Sequence, residues 1–202
     1  MVADQFLADI ESETERLAQL VDELLDLSRI SHGKINLRME LVDLGELVRR
    51  VAETHRPAAE TAGHRLRLEG STEPSWVMAD PVRLEQVFSN IISNAIKYTM
   101  PGGRITLGIR REGAHVRVRV ADTGIGISPK MLNRVFELFA QGEPSLCRTR
   151  DGLGVGLALS KTLVEMHGGK IQARSLGPGF GSEFSLRLPL ARPSQAALSA
   201  DK

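Results

Sequence analysis

Phe6, Ile10, Glu13, Leu17, Leu20, Leu24, Leu27 and Ser31 follow one another in alternating steps of four and three; six of the eight are apolar, and Val21 and Leu25 widen the stripe. The spacing predicts one amphipathic helix over residues 4–30, packed in a bundle. A single such helix cannot bury its own stripe, so a partner helix is required, from the rest of this chain or from a second chain. Ser31-His32-Gly33-Lys34 ends it as a hinge, with Gly33 suited to the C-cap. Alternating Leu37, Met39 and Leu41 predict a strand. Asp43 can cap a helix over 44–56 that Pro57 is expected to stop, and short strands are expected at 64–69 and 76–79. Asp80-Pro81 joins a capping acid to a proline in the first turn, the start of a helix running to about Tyr98 and ending before Pro101-Gly102-Gly103. Leu84, Val87, Phe88, Ile91 and Ala95 form its apolar face.

Ile105, Leu107 and Ile109 alternate in one arm of a hairpin and Val116, Val118 and Val120 in the other, around Glu112-Gly113. Ser128-Pro129 starts a short helix expected to reach Phe139. Residues 140–153 show no periodicity and read as a mobile loop. A helix is expected over 154–167, then strands over 169–175 and 183–188, joined by Gly177-Pro178-Gly179-Phe180-Gly181. The tail from Ala191 is expected to be disordered. Helices mixed with hairpins predict an α+β fold, a two-layer sandwich, rather than an alternating parallel one.

The 202 residues suffice for one such domain and an accessory element. Aromatic residues make up 4%, which argues against a stacking platform for single-stranded nucleic acid. The net charge of +1 is uneven: residues 1–30 hold eight acids and two bases, −6, so the remainder holds +7. A basic main domain suits a polyphosphate, although a solvated surface explains the same balance. No apolar run is long enough to span a bilayer, the acidic start is no secretory signal, and Cys147 stands alone, so neither an internal disulfide nor a cysteine zinc site can form. A cytoplasmic setting is expected.

Four segments carry candidate chemistry. On the helix of residues 81–98, Asn90, Asn94 and Lys97 lie at i, i+4 and i+7, roughly 110° from the apolar face. An amide oxygen can ligate a hard cation, and a lysine one turn on can meet phosphate oxygens; a plain solvent-facing row is the alternative. Asp122-Thr123-Gly124-Ile125-Gly126-Ile127 ends a strand with a carboxylate and two glycines. The carboxylate can accept a hydrogen bond from an exocyclic amine and the glycines admit a ligand closely, or the segment is an ordinary turn. Phe136 and Phe139 read as a hydrophobic anchor at the base of the loop. Gly152-Leu153-Gly154-Val155-Gly156-Leu157 opens a helix with glycines, an anion site through its free N–H groups. It is neither a Walker A loop nor a dinucleotide fingerprint.

In this order and spacing, the four segments resemble the ATP-binding catalytic domain of bacterial sensor histidine kinases, whose wider family includes type II topoisomerases, mismatch-repair ATPases and large chaperone ATPases. Residues 90–99 are similar to the N box, 122–127 to the first glycine box, 136–139 to the F box and 152–157 to the second glycine box. Residues 15–34 resemble the second helix of the dimerisation and phosphoacceptor hairpin. The resemblance implies a Bergerat-type fold over residues 34–190, preceded by that helix over 1–33 and followed by the tail 191–202. It implies ATP and Mg²⁺ as ligands, with Asn94 on the metal and Asn90 and Lys97 on phosphate oxygens or the metal's waters, these three forming the catalytic set. Tyr98 would pack beside the nucleoside and Asp122 would bind the adenine amine. Gly124, Gly126, Ile127, Gly152, Leu153, Gly154, Val155, Gly156 and Leu157 would shape the cleft and cradle the phosphates. Residues 140–153 would be the ATP lid, where Arg148 and Arg150 can reach the terminal phosphate. The implied partners are a second copy through the N-terminal helix and the receiver domain of a response regulator. Whether the parent protein is membrane-anchored, or a hybrid kinase with a fused receiver, stays open.

Two departures shape the functional expectation. Hydrolytic relatives carry Glu four residues before the metal-binding Asn, as a base for water; here the residue is Asn90, which cannot take up a proton usefully. Transfer to a strong nucleophile, histidine, is favoured over hydrolysis. None of His32, His55, His64, His115 and His167 has the phosphoacceptor's flanking residues, so the chain is expected to bind ATP–Mg²⁺ without phosphorylating itself, as a fragment or a natural variant. A nucleotide-binding pseudo-kinase and an ATPase-driven conformational switch are the competing readings.

Overall fold

Alternation in the two hairpin arms builds the sheet. In the computed structural model, which describes residues 36–70, 73–140 and 154–191 together with Thr14, Val21, Leu25 and Asp26, the chain runs β1 (Glu40–Asp43), α1 (Leu44–Thr61), β2 (Arg65–Gly70), β3 (Trp76–Ala79), α2 (Pro81–Tyr98), β4 (Arg104–Glu112), β5 (His115–Asp122), α3 (Pro129–Leu132), α4 (Gly156–Met166), β6 (Lys170–Arg174) and β7 (Ser182–Pro189). Five strands form one sheet in the order β2-β4-β5-β7-β6, and β1 pairs with β3 apart from it. Only β2 and β4 are parallel in the large sheet; the other neighbours are antiparallel. The α+β, two-layer expectation holds.

Ile105, Leu107, Ile109, Val116, Val118, Val120, Leu186 and Leu188 point to one face of the sheet and are buried there. Helices α1, α2 and α4 cover that face, with α2 between the other two. Leu84, Val87, Phe88, Ile91, Ile92 and Ala95 of α2 are all buried. Each large side chain so placed contributes about 1.5–3 kcal/mol, so α2 is anchored along its whole length. Asp80 caps α2 by accepting from the Arg83 N–H at 3.2 Å, and also accepts from the Arg38 N–H at 2.9 Å. Its own N–H donates to Nε2 of buried His167 at 2.9 Å. That nitrogen must therefore be the acceptor, so Nδ1 carries the proton and donates to the Leu163 carbonyl at 2.7 Å. The end of α4 is thereby tied to the start of α2, and the two helices run antiparallel.

Several boundaries differ from the sequence expectation. Helix α1 passes through Pro57 to Thr61 instead of stopping at residue 56. Proline removes one N–H, yet buried Ala59 beyond it holds the last turn on the core. Pro57→Ala is expected to raise the unfolding free energy by about 2 kcal/mol, because the lost helical bond returns; urea unfolding followed by circular dichroism checks it. The helix after Ser128 has a single turn, since the bonds that follow (Arg134 N–H to Met131 O, Glu137 N–H to Arg134 O) span three residues and Phe139 has φ 62°. Gly154 takes φ 71°, so α4 starts at Gly156 rather than at residue 154. Strand β1 begins at Glu40, short of Leu37 and Met39. Ala191 is held by its N–H bond to the Trp76 carbonyl, whereas the tail beyond it lies outside the described residues. So do the helix of 4–30 except Thr14, Val21, Leu25 and Asp26, the hinge at 31–34, and loop residues 141–153.

Candidate functional site

The site is assembled around the exposed flank of α2. Asn90, Asn94 and Lys97 are each half-buried, on the side of the helix away from its fully buried row. Asn90 faces α4. Its Nδ2 donates to Ser160 Oγ at 2.9 Å, and a methyl group placed on Gly156 would come within 2.4 Å of its Oδ1. Gly156 is therefore required for close approach of α4 to this amide. Asn94 Nδ2 lies 3.5 Å from Asn90 Oδ1. Lys97 Nζ sits 5.2 Å from the centroid of the Tyr98 ring, which is partly exposed.

The last turn of α2 abuts the Asp122 loop. The Ile125 N–H donates to the Tyr98 carbonyl at 3.0 Å, and a Cβ on Gly124 would lie 2.1 Å from that same oxygen. The loop after β6 closes on the other side. Gly179 N–H donates to Ile125 O at 2.7 Å, Gly181 N–H to Gly124 O at 3.1 Å, and Ile127 N–H to Ser175 Oγ at 3.0 Å. Asp122 stands between them. Its Oδ1 accepts from the Gly124 N–H at 2.8 Å and the Ser182 N–H at 3.3 Å, and its Oδ2 from the Ser182 hydroxyl at 2.5 Å. A carboxylate offers about four lone-pair sites; these three bonds leave one, on Oδ2.

Ser182 and Ser175 were not singled out by sequence reasoning. Their signal is a hydroxyl beside each end of the glycine-rich connection at 177–181, but only the register that sets Asp122 opposite Ser182 gives it meaning. Phe136 meets the anchoring expectation, packing edge-on to Phe184 with ring centroids 6.3 Å apart. Phe139 does not: it is 63% exposed. Its N–H bonds the Gly154 carbonyl at 3.0 Å, so the residues flanking 141–153 are held side by side.

Helix α4 begins without a side-chain cap. Among the described residues no side chain caps its first turn, the arrangement in which a helix N-terminus receives an anion. Gly154, Gly156 and Leu157 sit at this end; the Val155 side chain is buried, so only its backbone can meet a ligand. Gly152, Leu153, Arg148 and Arg150 lie outside the described residues. Among the described residues no group of three or more His, Cys, Asp or Glu side chains could hold a metal ion; the donor that this flank offers a hard cation is an amide oxygen. No helix among the described residues is long and apolar enough to cross a membrane.

Residues 79–192, more than half of the chain, match the family described as histidine kinase-, DNA gyrase B- and HSP90-like ATPases, and the chain belongs to this family. It is 37% identical over 191 residues to the non-motile and phage-resistance protein of Caulobacter vibrioides, covering 93% of this chain and 22% of that protein. It is likewise 37% identical over 187 residues to the circadian input-output histidine kinase CikA of Synechococcus elongatus, covering 92% of this chain and 25% of that kinase. The chain thus spans about a quarter or less of the length of these relatives. The crystal structure of full-length ShkA in complex with AMPPNP superposes with a TM-score of 0.79 at 31% identity, covering 93% of this chain and 39% of that one. The chain is an ATP-binding catalytic module of the kind found in two-component sensor histidine kinases.

Proposed function

We propose that this module binds ATP with Mg²⁺ and presents the γ-phosphoryl group to a histidine, for relay to a response-regulator aspartate. The observation that carries the reading is one helix flank, Asn90–Asn94–Lys97, set between the uncapped start of α4 and the Asp122–Gly126 loop. The remaining lone pair on Asp122 Oδ2 accepts the exocyclic amine of adenine. The Tyr98 ring, partly exposed at the end of the same helix, packs beside the nucleoside. The α4 N-terminus and Lys97 take up phosphate charge.

The donor set fits Mg²⁺: a neutral amide oxygen on Asn94, with Asn90 one turn before it, suits a hard cation that keeps phosphate oxygens and waters as its other ligands. When bound, the metal offsets phosphate charge. Asn90 stands at the position from which hydrolytic relatives activate water, and an amide cannot accept that proton. The site thus positions the phosphoryl group for a stronger nucleophile and disfavours water. His64 and His167 are buried, which supports an acceptor other than these two.

Val21 and Leu25 are 54% and 50% exposed, while neighbouring Asp26 is buried against Arg83 and Gln86 of α2. This supports a helix docked on the catalytic module through Asp26, with an apolar strip left for a second copy. Calorimetric titration with ADP and a non-hydrolysable ATP analogue tests the reading. Both are expected to bind, more tightly with Mg²⁺, and Asn94→Ala is expected to remove the Mg²⁺-dependent gain. Failure of either nucleotide to bind would sink it.

A further inference from the structure

Ser160 is buried inside the first turns of α4, and no sequence motif marks it. Its hydroxyl donates to the Gly156 carbonyl at 2.8 Å and lies 2.9 Å from Asn90 Nδ2. A carbonyl can only accept, so the single hydroxyl proton is committed to it. The oxygen of Ser160 then has only lone pairs to offer, and Asn90 must turn its NH₂ group toward it. That fixes the other end of the amide. Oδ1 of Asn90 lies at the opposite end of the amide, and among the described residues it faces Nδ2 of Asn94, at a long 3.5 Å. With its NH₂ group drawn to Asn90, Asn94 has its oxygen left to present. Without these neighbours the Asn94 amide would be free to turn, and the cation itself would have to draw the oxygen inward and hold it there. This sequence of bonds runs in one direction only, starting from a backbone carbonyl whose polarity cannot invert.

We propose that Ser160 is a positioning residue for the cation ligand: the relay Gly156 O, Ser160, Asn90, Asn94 orients the Asn94 amide with its oxygen toward the metal. The proposal rests on the reading of Asn94 as the Mg²⁺ ligand and assigns the residue that sets its polarity. Ser160 itself is buried and acts in this relay only through Asn90.

The test uses Ser160→Ala, a substitution that favours the helix. Calorimetric titration with ADP is run with Mg²⁺ and with EDTA. Metal-free ADP affinity is expected to stay within about twofold of the parent, and affinity with Mg²⁺ to fall about tenfold, the lower end of what partners orienting metal ligands contribute. In an Asn94→Ala background, Ser160→Ala should cost nothing further, because the relay acts only through Asn94. An unchanged Mg²⁺ gain in Ser160→Ala, an equal loss with and without metal, or a loss that persists in the Asn94→Ala background each overturns the relay. If Asn94→Ala alone keeps the full Mg²⁺ gain, the reading of the metal ligand fails, and the relay with it. A measurement on the unaltered chain stands independently of any variant. Through-space NMR cross-peaks are expected from the Asn90 side-chain amide protons to the Ser160 methylene, and an Asn90 amide turned the other way overturns the proposal.

Discussion

Replacing Asp122 by asparagine is expected to lower ADP affinity by about 100-fold or more while leaving the fold in place. The reason lies in how the carboxylate is already used. Two backbone N–H groups, from Gly124 and Ser182, point at Oδ1. An asparagine must therefore keep its oxygen there, and its NH₂ group takes the place of Oδ2. The Ser182 hydroxyl can turn and accept from that group, so the framework of loop and strand survives. What changes is the one remaining direction at Oδ2, which becomes a donor. On the proposed assignment adenine brings an amine to that point, and donor then meets donor, a mismatch that leaves two desolvated N–H groups facing each other. Guanine carries an oxo group at the corresponding ring position, and an NH₂ group can donate to it. Asp122→Asn is therefore expected to narrow or invert the preference for ADP over GDP, whereas Asp122→Ala loses affinity without that change. Titration of both variants with ADP and GDP, beside their melting temperatures, separates the two effects. ADP binding by Asp122→Asn at parental strength would refute the assignment of Asp122.

The contrast between Asp122 and its partner Ser182 shows what one sequence can disclose. Asp122 was legible because it ends an alternating strand just before Gly-x-Gly, a local pattern. Ser182 is 60 residues away, and its role depends on the antiparallel register of β5 with β7, which no local pattern contains. The same division runs through the fold. Helix α2 could be read to both ends, because Asp80-Pro81 starts it, Pro101-Gly102-Gly103 follows it and its apolar face has a helical period. Helix α1 could not, because the local rule against proline was overridden by the burial of Ala59. The spacing of Asn90 and Asn94 singles them out as candidates from the sequence alone. That Asn90 rests on Gly156 and Ser160 is a matter of how α4 crosses α2, and that crossing is fixed in part by a buried histidine, His167, which no local pattern ties to the site.

Gly124→Ala is expected to cost about 3 kcal/mol or more of stability and to abolish nucleotide binding, the larger of two glycine effects that can be compared directly. A Cβ at Gly124 would lie 2.1 Å from the Tyr98 carbonyl oxygen and 2.8 Å from Asp122 Oδ1. Neither neighbour is free to yield. The carbonyl belongs to the last turn of α2 and accepts the Ile125 N–H; the carboxylate accepts the Gly124 N–H itself. Relief requires the Asp122 loop to lift off α2, which breaks the Ile125–Tyr98 bond and separates the carboxylate proposed to recognise the purine from the helix that bears Asn94. Gly113, in the hairpin turn between β4 and β5, makes the comparison. It has φ 61° and nothing within 4 Å of its would-be Cβ. Gly113→Ala meets only the conformational cost of a left-handed residue, about 1–2 kcal/mol, far from the site. At about 2–4 °C of melting temperature per kcal/mol for a chain of this size, Gly113→Ala should melt a few degrees low and bind ADP normally. Gly124→Ala should melt at least about 6 °C low, and at a temperature where it is still folded it should not bind ADP. A Gly124→Ala protein that bound ADP as the parent does would mean that the carboxylate and the Asn94 flank do not act on one ligand.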